Sequence, residues 1–156
     1  MTKAKAKIAK AKIYLAGALF TQAEREFNVK LRDVLMCNKF DVFLPQEDSE
    51  VVKDREMWQH EIFEKNEKAI QDADIVVAVI DGSDIDSGTA WEIGYAYGIG
   101  KPIIGLRTDF RTMGIEGIVN LMIEQSIPIT KTIPELLNHL NRNFELLNNL
   151  NRNLYK

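Results

Sequence analysis

The sequence predicts an α/β fold, a three-layer α/β/α sandwich around a five-stranded parallel sheet. Short apolar segments alternate along the chain with longer amphipathic ones, as in repeated strand–helix units. The third apolar segment, residues 75–80, is unbroken and mostly β-branched, as a strand covered by helices on both faces requires. Parallel strands need crossover connections, and the amphipathic segments are long enough to provide them.

Composition and charge indicate an ordinary globular domain. The chain has 156 residues, of which 46% are hydrophobic and 28% are charged, and its formal net charge is −3. A domain of this length buries roughly two thirds of the surface that its unfolded chain exposes, so it needs no disulfide or metal for stability. The small negative charge provides no basic field for nucleic acid, and no nucleic-acid partner is expected.

Cysteine, histidine and hydropathy restrict the compartment and the cofactors. Cys37 is the only cysteine, which fits a reducing compartment, and two histidines without neighbouring cysteines argue against a zinc site. No apolar run approaches the roughly 20 residues that span a bilayer, and residues 1–11 lack the apolar core of a signal peptide. We therefore expect a cytoplasmic protein without a metal or other cofactor, with a flexible basic arm at 1–11 and a single domain at 12–156.

The strands and helices are assigned from apolar runs and periodicity. Five segments have the character of strands, at residues 13–16, 41–44, 75–80, 103–106 and 127–129. Four have the helical period: one opened by a capping box of Thr21 and Glu24, one at about 54–71, one at 88–99 and one capped by Thr132. In the second helix the expected buried positions are Met57, Ile62, Phe63 and Ile70.

The candidates for chemistry follow the third strand. That strand stops at Asp81-Gly82, and the loop after it carries Asp84 and Asp86. Ligands of open α/β sheets bind at the carboxyl ends of the strands, so a site is expected at this loop. Glu92 lies in the next helix among apolar neighbours, which predicts that the helix is largely buried. Because an ionised Glu is rarely buried without a partner, Glu92 is a functional candidate.

Four segments resemble the nucleoside 2-deoxyribosyltransferase family. They are YLAGALF at 14–20, LPQ at 44–46, DSGTAWEIGYA at 86–96 and GKP at 100–102. The resemblance extends over about residues 12–129 in the same order, and the segment around Glu92 is its most specific part. Members of the family move a 2′-deoxyribosyl group between nucleobases through a covalent enzyme intermediate. The resemblance also implies a flavodoxin-like sheet, with nucleosides and free bases as substrates in nucleotide salvage.

The resemblance assigns roles to individual residues. It implies that Glu92 is the nucleophile, that Tyr14 holds it in place, and that Gln46 and Asp86 contact the base. The chemistry agrees, because breaking a C1′–N bond with retention needs an attacking carboxylate and an acid that helps the base leave. A tyrosine hydroxyl offsets the desolvation of the ionised Glu92, and Asp86 is placed to exchange a proton with the base.

Other positions complete the predicted site. Phe20, Gln46 and Met122 are expected to form an apolar slot for the base. Asn120 and Met122 resemble the segment that a neighbouring subunit lends to the active site, so a homo-oligomer of at least two subunits is implied. A further hypothesis is that Tyr155-Lys156 reach the active site of a neighbouring subunit through the terminal carboxylate.

One position departs from the family pattern. Many members carry an aspartate eight residues before the Asp that opens the third strand, and here that position is Asn66. Asparagine hydrogen-bonds a base but does not exchange a proton at neutral pH. Proton transfer is therefore expected to depend more heavily on Asp86.

Two alternatives remain open from the sequence. The first is hydrolysis of a 2′-deoxynucleoside, or of its 5′-phosphate held by the backbone N–H groups between Gly17 and Thr21. Only Thr21 and Gln22 are polar in the loop at 16–22, which favours nucleosides. The second is a phospho-acceptor module using Asp81, but no acidic Mg²⁺ ligands follow the first strand. Asp81 itself fits a turn and a contact to the sugar equally well.

Overall fold

The computed structural model describes residues 10–48, 57–114 and 117–154. For Asp48 and residues 145–154 it describes the backbone alone. Most of the predicted arm at 1–11 lies outside the described residues. So do residues 49–56, which include the predicted start of the second helix, and the pair Tyr155-Lys156.

Five strands form one parallel sheet, as the sequence predicts. They are β1 (Lys12–Ala16), β2 (Asp41–Phe43), β3 (Ile75–Val79), β4 (Ile103–Leu106) and β5 (Ile129–Thr130). Their order is β2-β1-β3-β4-β5 and all pairs are parallel, which is the flavodoxin-like arrangement. The fifth strand begins later than predicted because the N–H of Ile127 bonds to the carbonyl of Ile123 at 3.2 Å and ends a helix.

Helices cover both faces of the sheet. They are α1 (Gln22–Cys37), α2 (Pro45–Asp48), α3 (Trp58–Asp72), α4 (Ser87–Gly98), α5 (Leu121–Ser126) and α6 (Ile133–Leu154). The predicted capping box is confirmed, since Thr21 and Glu24 bond reciprocally at the start of α1. The short helices α2 and α5 were not predicted, because four and six residues are too few for a helical period. In the described ranges, no helix is both long and apolar enough to cross a membrane.

The apolar core has two parts, one on each face of the sheet. Successive residues of β1 point to opposite faces, so Ile13 and Leu15 belong to one part and Tyr14 and Ala16 to the other. The first part is closed by α1 and α6, through buried side chains that include Leu31, Leu35, Leu136 and Leu140. The second is closed by α3 and α4, through Ile70, Ile93 and Ala96.

Two expectations about burial are wrong. Met57, just before α3, is 68% exposed, and Phe63, within α3, is 45% exposed. Ile70 is buried as predicted. Met57 has a left-handed backbone with φ of 69°, so it precedes the helix instead of lying within it. The helix that carries Glu92 is also not largely buried, because only one side of it packs on the sheet. Its apolar residues on the other side, among them Trp91, remain exposed in a single chain.

Candidate active site

The side chains of Tyr14 and Glu92 meet between β1 and α4. Tyr14 is fully buried, and its Oη donates a hydrogen bond to Oε1 of Glu92. Its ring stacks on that of Phe43 in β2, with the centroids 5.6 Å apart, which fixes its orientation. The two residues can meet because β1 and β3 are neighbours in the sheet. In their register Tyr14 lies opposite Val76.

Burial makes Glu92 an unusually weak acid. Desolvation raises the pKa of its carboxyl to about 7, while the hydrogen bond from Tyr14 lowers this pKa and the negative charge of Asp86 raises it. Burial and the charge of Glu92 hold the pKa of the Tyr14 hydroxyl well above its usual range, so the hydroxyl stays protonated. Near neutral pH a large fraction of Glu92 is therefore ionised and held by a phenol donor, which suits a nucleophile.

Asp86 lies at the N-terminus of the same helix. Its Oδ2 accepts hydrogen bonds from the backbone N–H of Thr89 at 2.9 Å and from Thr89 Oγ1 at 3.1 Å, which makes it the N-cap of α4. Its negative charge is the smallest of the three influences on the pKa of Glu92, six residues further along the chain. The structure thus brings together the three residues predicted to be catalytic.

Gln46 is held by a residue that the sequence analysis missed. Asn28, buried in α1, donates from Nδ2 to Gln46 Oε1 at 3.1 Å and to the carbonyl of Ala18 at 2.9 Å. Gly17 makes this possible, since a Cβ there would lie 3.2 Å from Asn28 Oδ1 and 3.2 Å from Val79 Cβ. The sequence carried one indication of this role for Asn28: a polar residue on the apolar stripe of α1, three positions before Leu31.

Asp81 is bonded to the loop that follows β4. Its Oδ1 accepts from the backbone N–H groups of Thr108 at 2.6 Å and Asp109 at 2.8 Å, and its Oδ2 accepts from Thr108 Oγ1 at 2.5 Å. Two roles were expected for Asp81, in a turn or as a contact to the sugar. These bonds are those of a residue that holds a loop in place. Beside it lies Arg107, a buried residue that the sequence analysis did not single out.

The remaining predicted site residues lie at the surface or on other helices. Phe20 and Met122 are each 76% exposed, so the predicted base slot is not closed within a single chain. Asn120 caps α5, where its Oδ1 accepts from the N–H of Met122 at 3.0 Å. Asn66 is half-buried on α3, one turn before the buried Ile70.

A cleft opens at the switch point of the sheet, beside the ends of β1 and β3. Its volume is about 230 Å³, and its lining includes Ala18, Asn28, Gly82 and the carboxylates Glu24 and Asp81. Open α/β sheets bind ligands in this crevice. In the part of the chain that the structure describes, no group of three or more His, Cys, Asp or Glu residues is placed to hold a metal ion.

Comparison with protein families agrees with this arrangement. A family model described as nucleoside 2-deoxyribosyltransferase matches residues 13–150. The chain belongs to the nucleoside 2-deoxyribosyltransferase family. The match extends beyond the segments that carried the resemblance in sequence, and it includes Tyr14, Asp86 and Glu92. Among curated protein sequences no match was found.

Solved structures share the fold of this nucleoside 2-deoxyribosyltransferase family member. A 2-deoxyribosyltransferase of Bacillus psychrosaccharolyticus is 29% identical, covers 82% of this chain and 91% of its own, and superposes with a TM-score of 0.71. A conserved protein of Enterococcus faecalis V583 is 28% identical over 86% of this chain and 99% of its own, with a TM-score of 0.75. A 2-deoxyribosyltransferase of Leishmania mexicana, 20% identical over 83% and 98%, has the same fold with a TM-score of 0.66.

Proposed function

We propose that this protein transfers the 2′-deoxyribosyl group of a nucleoside to another nucleobase through a covalent intermediate on Glu92. The observation that carries the proposal is the hydrogen bond from the buried Tyr14 hydroxyl to the Glu92 carboxylate. It keeps an ionisable, half-buried carboxylate oriented, as a nucleophile requires. Membership of the family and the likeness to a bacterial 2-deoxyribosyltransferase support the same reaction.

The reaction has two balanced steps. The ionised Glu92 attacks C1′ of the nucleoside and the C1′–N bond breaks. Its electron pair goes to the base nitrogen, which takes a proton that Asp86 has first received from solvent. An ester of the sugar with Glu92 remains. The incoming base then attacks C1′, returns its proton to Asp86 and releases the Glu92 carboxylate. Tyr14 donates its hydrogen bond in both steps, and it stabilises the carboxylate before the attack and after its release.

The charge around the start of α1 supports nucleosides over their 5′-phosphates. Oε2 of Glu24 accepts from the backbone N–H groups of Phe20 at 3.0 Å and Thr21 at 2.8 Å. These are the N–H groups that a phosphate at the helix N-terminus would need. The bond to Thr21 lowers the pKa of Glu24, so a negative charge already occupies this end of the helix at neutral pH.

A second copy of the chain is the partner that we propose for the exposed side of α4. The rings of Phe63, Trp91 and Tyr95 contact one another there, with centroids 5.4 Å and 5.1 Å apart, and two of them are almost half exposed. The neighbouring helix α5 packs against α4 and presents Met122 at 76% exposure. Packing of two such faces would bury these rings and let Asn120 and Met122 reach the site of the other copy.

A chromatographic assay tests the proposed reaction. We expect purified protein to convert 2′-deoxyinosine and adenine into 2′-deoxyadenosine and hypoxanthine, and the variant Glu92→Gln to form neither. Reactions without adenine measure hydrolysis, and a reaction with 2′-deoxyinosine 5′-phosphate tests the exclusion of nucleotides. Cleavage of the phosphate alone, without base exchange, would replace the transfer reaction by the hydrolase alternative.

A further inference from the structure

Two loops at the carboxyl edge of the sheet are joined by side-chain bonds across the neighbouring strands β3 and β4. The carboxylate of Asp81 accepts three hydrogen bonds from Thr108 and Asp109, as described above. In return the N–H of Gly82 donates to Oδ2 of Asp109 at 3.2 Å. The short turn after β3 is thus fixed by the loop after β4, and both partners belong to the side of the sheet edge where substrates bind.

Arg107 supplies the other half of this connection. It is 4% exposed, and its Nη1 donates to the carbonyl of Ile80 at 2.5 Å, while Nη2 donates to the carbonyls of Gly82 at 3.1 Å and Arg111 at 3.0 Å. Its Nε finds no partner among the described residues. A guanidinium is rarely buried so deeply, and its bonds to three carbonyls compensate only part of its desolvation. These bonds hold the ends of β3 and of the loop after β4 together.

The turn that Arg107 and Asp81 hold leads directly to the proposed catalytic residues. Gly82, with φ of +115°, allows the chain to reverse there, and four residues further on Asp86 caps α4. Asp86 is also the charge that acts on Glu92. A shift of the turn would therefore move the proton-exchanging carboxylate relative to the nucleophile, while Tyr14, on β1, would stay in place.

We propose that Arg107 and Asp81 are positioning residues that lock the loop from Asp81 to Asp86 and thereby set the place of Asp86 beside Glu92. Neither residue contacts the reacting atoms in this account. The inference rests on the proposed function for its catalytic consequence, but the locking of the loop is a property of the fold and is measurable without any substrate.

The test compares Arg107→Lys and Thr108→Val with the matched control Thr112→Val, a residue of the same loop outside the bonds described above. Lysine keeps the positive charge but lacks the planar fork that reaches several carbonyls at once. Amide hydrogen exchange, followed by mass spectrometry, should become faster in peptides covering residues 82–90 in the first two variants. Peptides from β1 and α1 should exchange as in the wild type, and so should all peptides of Thr112→Val.

The kinetic readout separates positioning from general loss of structure. In Arg107→Lys we expect kcat of base exchange to fall about tenfold or more, with KM for the nucleoside changed much less, because binding groups other than the loop remain. Unchanged hydrogen exchange at 82–90 overturns the inference, and so does an equal loss of kcat in Thr112→Val. A wild-type protein that exchanges no base overturns the proposed function instead, and hydrogen exchange alone then decides whether the loop is locked.

Discussion

At the scale of single residues, the hydrogen bond between Tyr14 and Glu92 is the feature on which the proposed reaction depends. Desolvation raises the pKa of Glu92, and the phenol of Tyr14 opposes this by bonding to the charged form. The desolvation that raises the pKa of the carboxyl also removes the water that would weaken its attack. The pair therefore has measurable consequences for both activity and stability.

The variant Tyr14→Phe should shift the pH dependence of base exchange. Removal of the hydroxyl removes the bond that lowers the pKa of Glu92, so the acidic limb of kcat/KM should move to higher pH. At about pH 6 we expect kcat/KM to fall about 10- to 100-fold, as for the loss of a hydrogen bond to a charged group. Steady-state kinetics across the pH range would measure it, with Tyr97→Phe, an exposed phenol on α4, as the control. An acidic limb that stays in place would contradict this role of Tyr14.

The raised pKa of Glu92 also predicts a pH-dependent stability. The folded protein binds the Glu92 proton more tightly than the unfolded chain, with a pKa of about 7 against 4.5, so stability is fully present below the lower value and is lost as pH rises through the higher. The loss amounts to about 3 kcal/mol. Glu92→Gln should avoid it, so its free energy of unfolding should exceed that of the wild type at about pH 8 but not at about pH 4.

Urea unfolding of the two proteins at both pH values measures this difference. The control is Glu64→Gln, whose side chain is 64% exposed. Its effect should not depend on pH in the same way. A Glu92→Gln variant with the same pH dependence as the wild type would show that the carboxyl is not desolvated in the folded protein.

At the scale of elements, the N-terminal ends of α1 and α4 both contribute residues to the proposed site. Thr21 and Glu24 cap α1, Asp86 caps α4, and both helix starts lie beside the carboxyl ends of β1 and β3. The close approach of α1 to the sheet depends on Gly17, because Asn28 fills the space beside it. The capping box of Thr21 and Glu24 was predictable from local spacing, whereas the cap at Asp86 was not predicted and the contact between Gly17 and Asn28 was not predictable.

The variant Gly17→Ala should disturb this contact. An added methyl group would lie 3.2 Å from Asn28 Oδ1, so Asn28, which also bonds to Gln46, must shift by a few tenths of an ångström. We expect a loss of about 1–3 kcal/mol in the free energy of unfolding, as for an overpacked core, and a higher KM for the nucleoside. Gly98→Ala is the control, because a methyl group there meets no atom within 4 Å. Equal stability of the two variants in urea would show that the α1 contact tolerates the change.

At the scale of the whole molecule, the strand order is what brings the site together. Placing β1 beside β3 sets Tyr14 next to the helix that follows β3, although Tyr14 and Glu92 are 78 residues apart in sequence. The apolar runs and capping residues sufficed to predict the five strands and the class of fold. The motif around Glu92 and the segment around Tyr14 sufficed to predict that these two side chains meet, and their catalytic role stays a prediction.

The rest was not readable from the sequence for physical reasons. Arg107 and Ile80 are 27 residues apart, and nothing local to either residue indicates that a guanidinium will be buried against that carbonyl. The exposure of Phe63 and Trp91 was also mispredicted, because an exposed apolar helix face has the same sequence pattern as one that packs in the core.

That exposed face predicts self-association. The variant Phe63→Glu places a charge among the rings of Trp91 and Tyr95, and burial of an unpaired charge in an interface is costly, so we expect it to dissociate the oligomer and reduce base exchange. Phe110→Glu is the matched control, since Phe110 is 95% exposed in the loop after β4 and makes none of the ring contacts of Trp91. Sedimentation velocity measures the oligomeric state. A wild-type protein that sediments as a monomer would contradict the proposed partner.

The most direct test of the central claim is to trap the sugar on Glu92. Protein mixed with 2′-deoxyinosine in the absence of an acceptor base is quenched in acid, digested and mapped by mass spectrometry. We expect one 2′-deoxyribosyl group on the peptide that contains Glu92, its loss when adenine is added before the quench, and no adduct in Glu92→Gln. An adduct on another residue, or base exchange that persists in Glu92→Gln, would contradict the account.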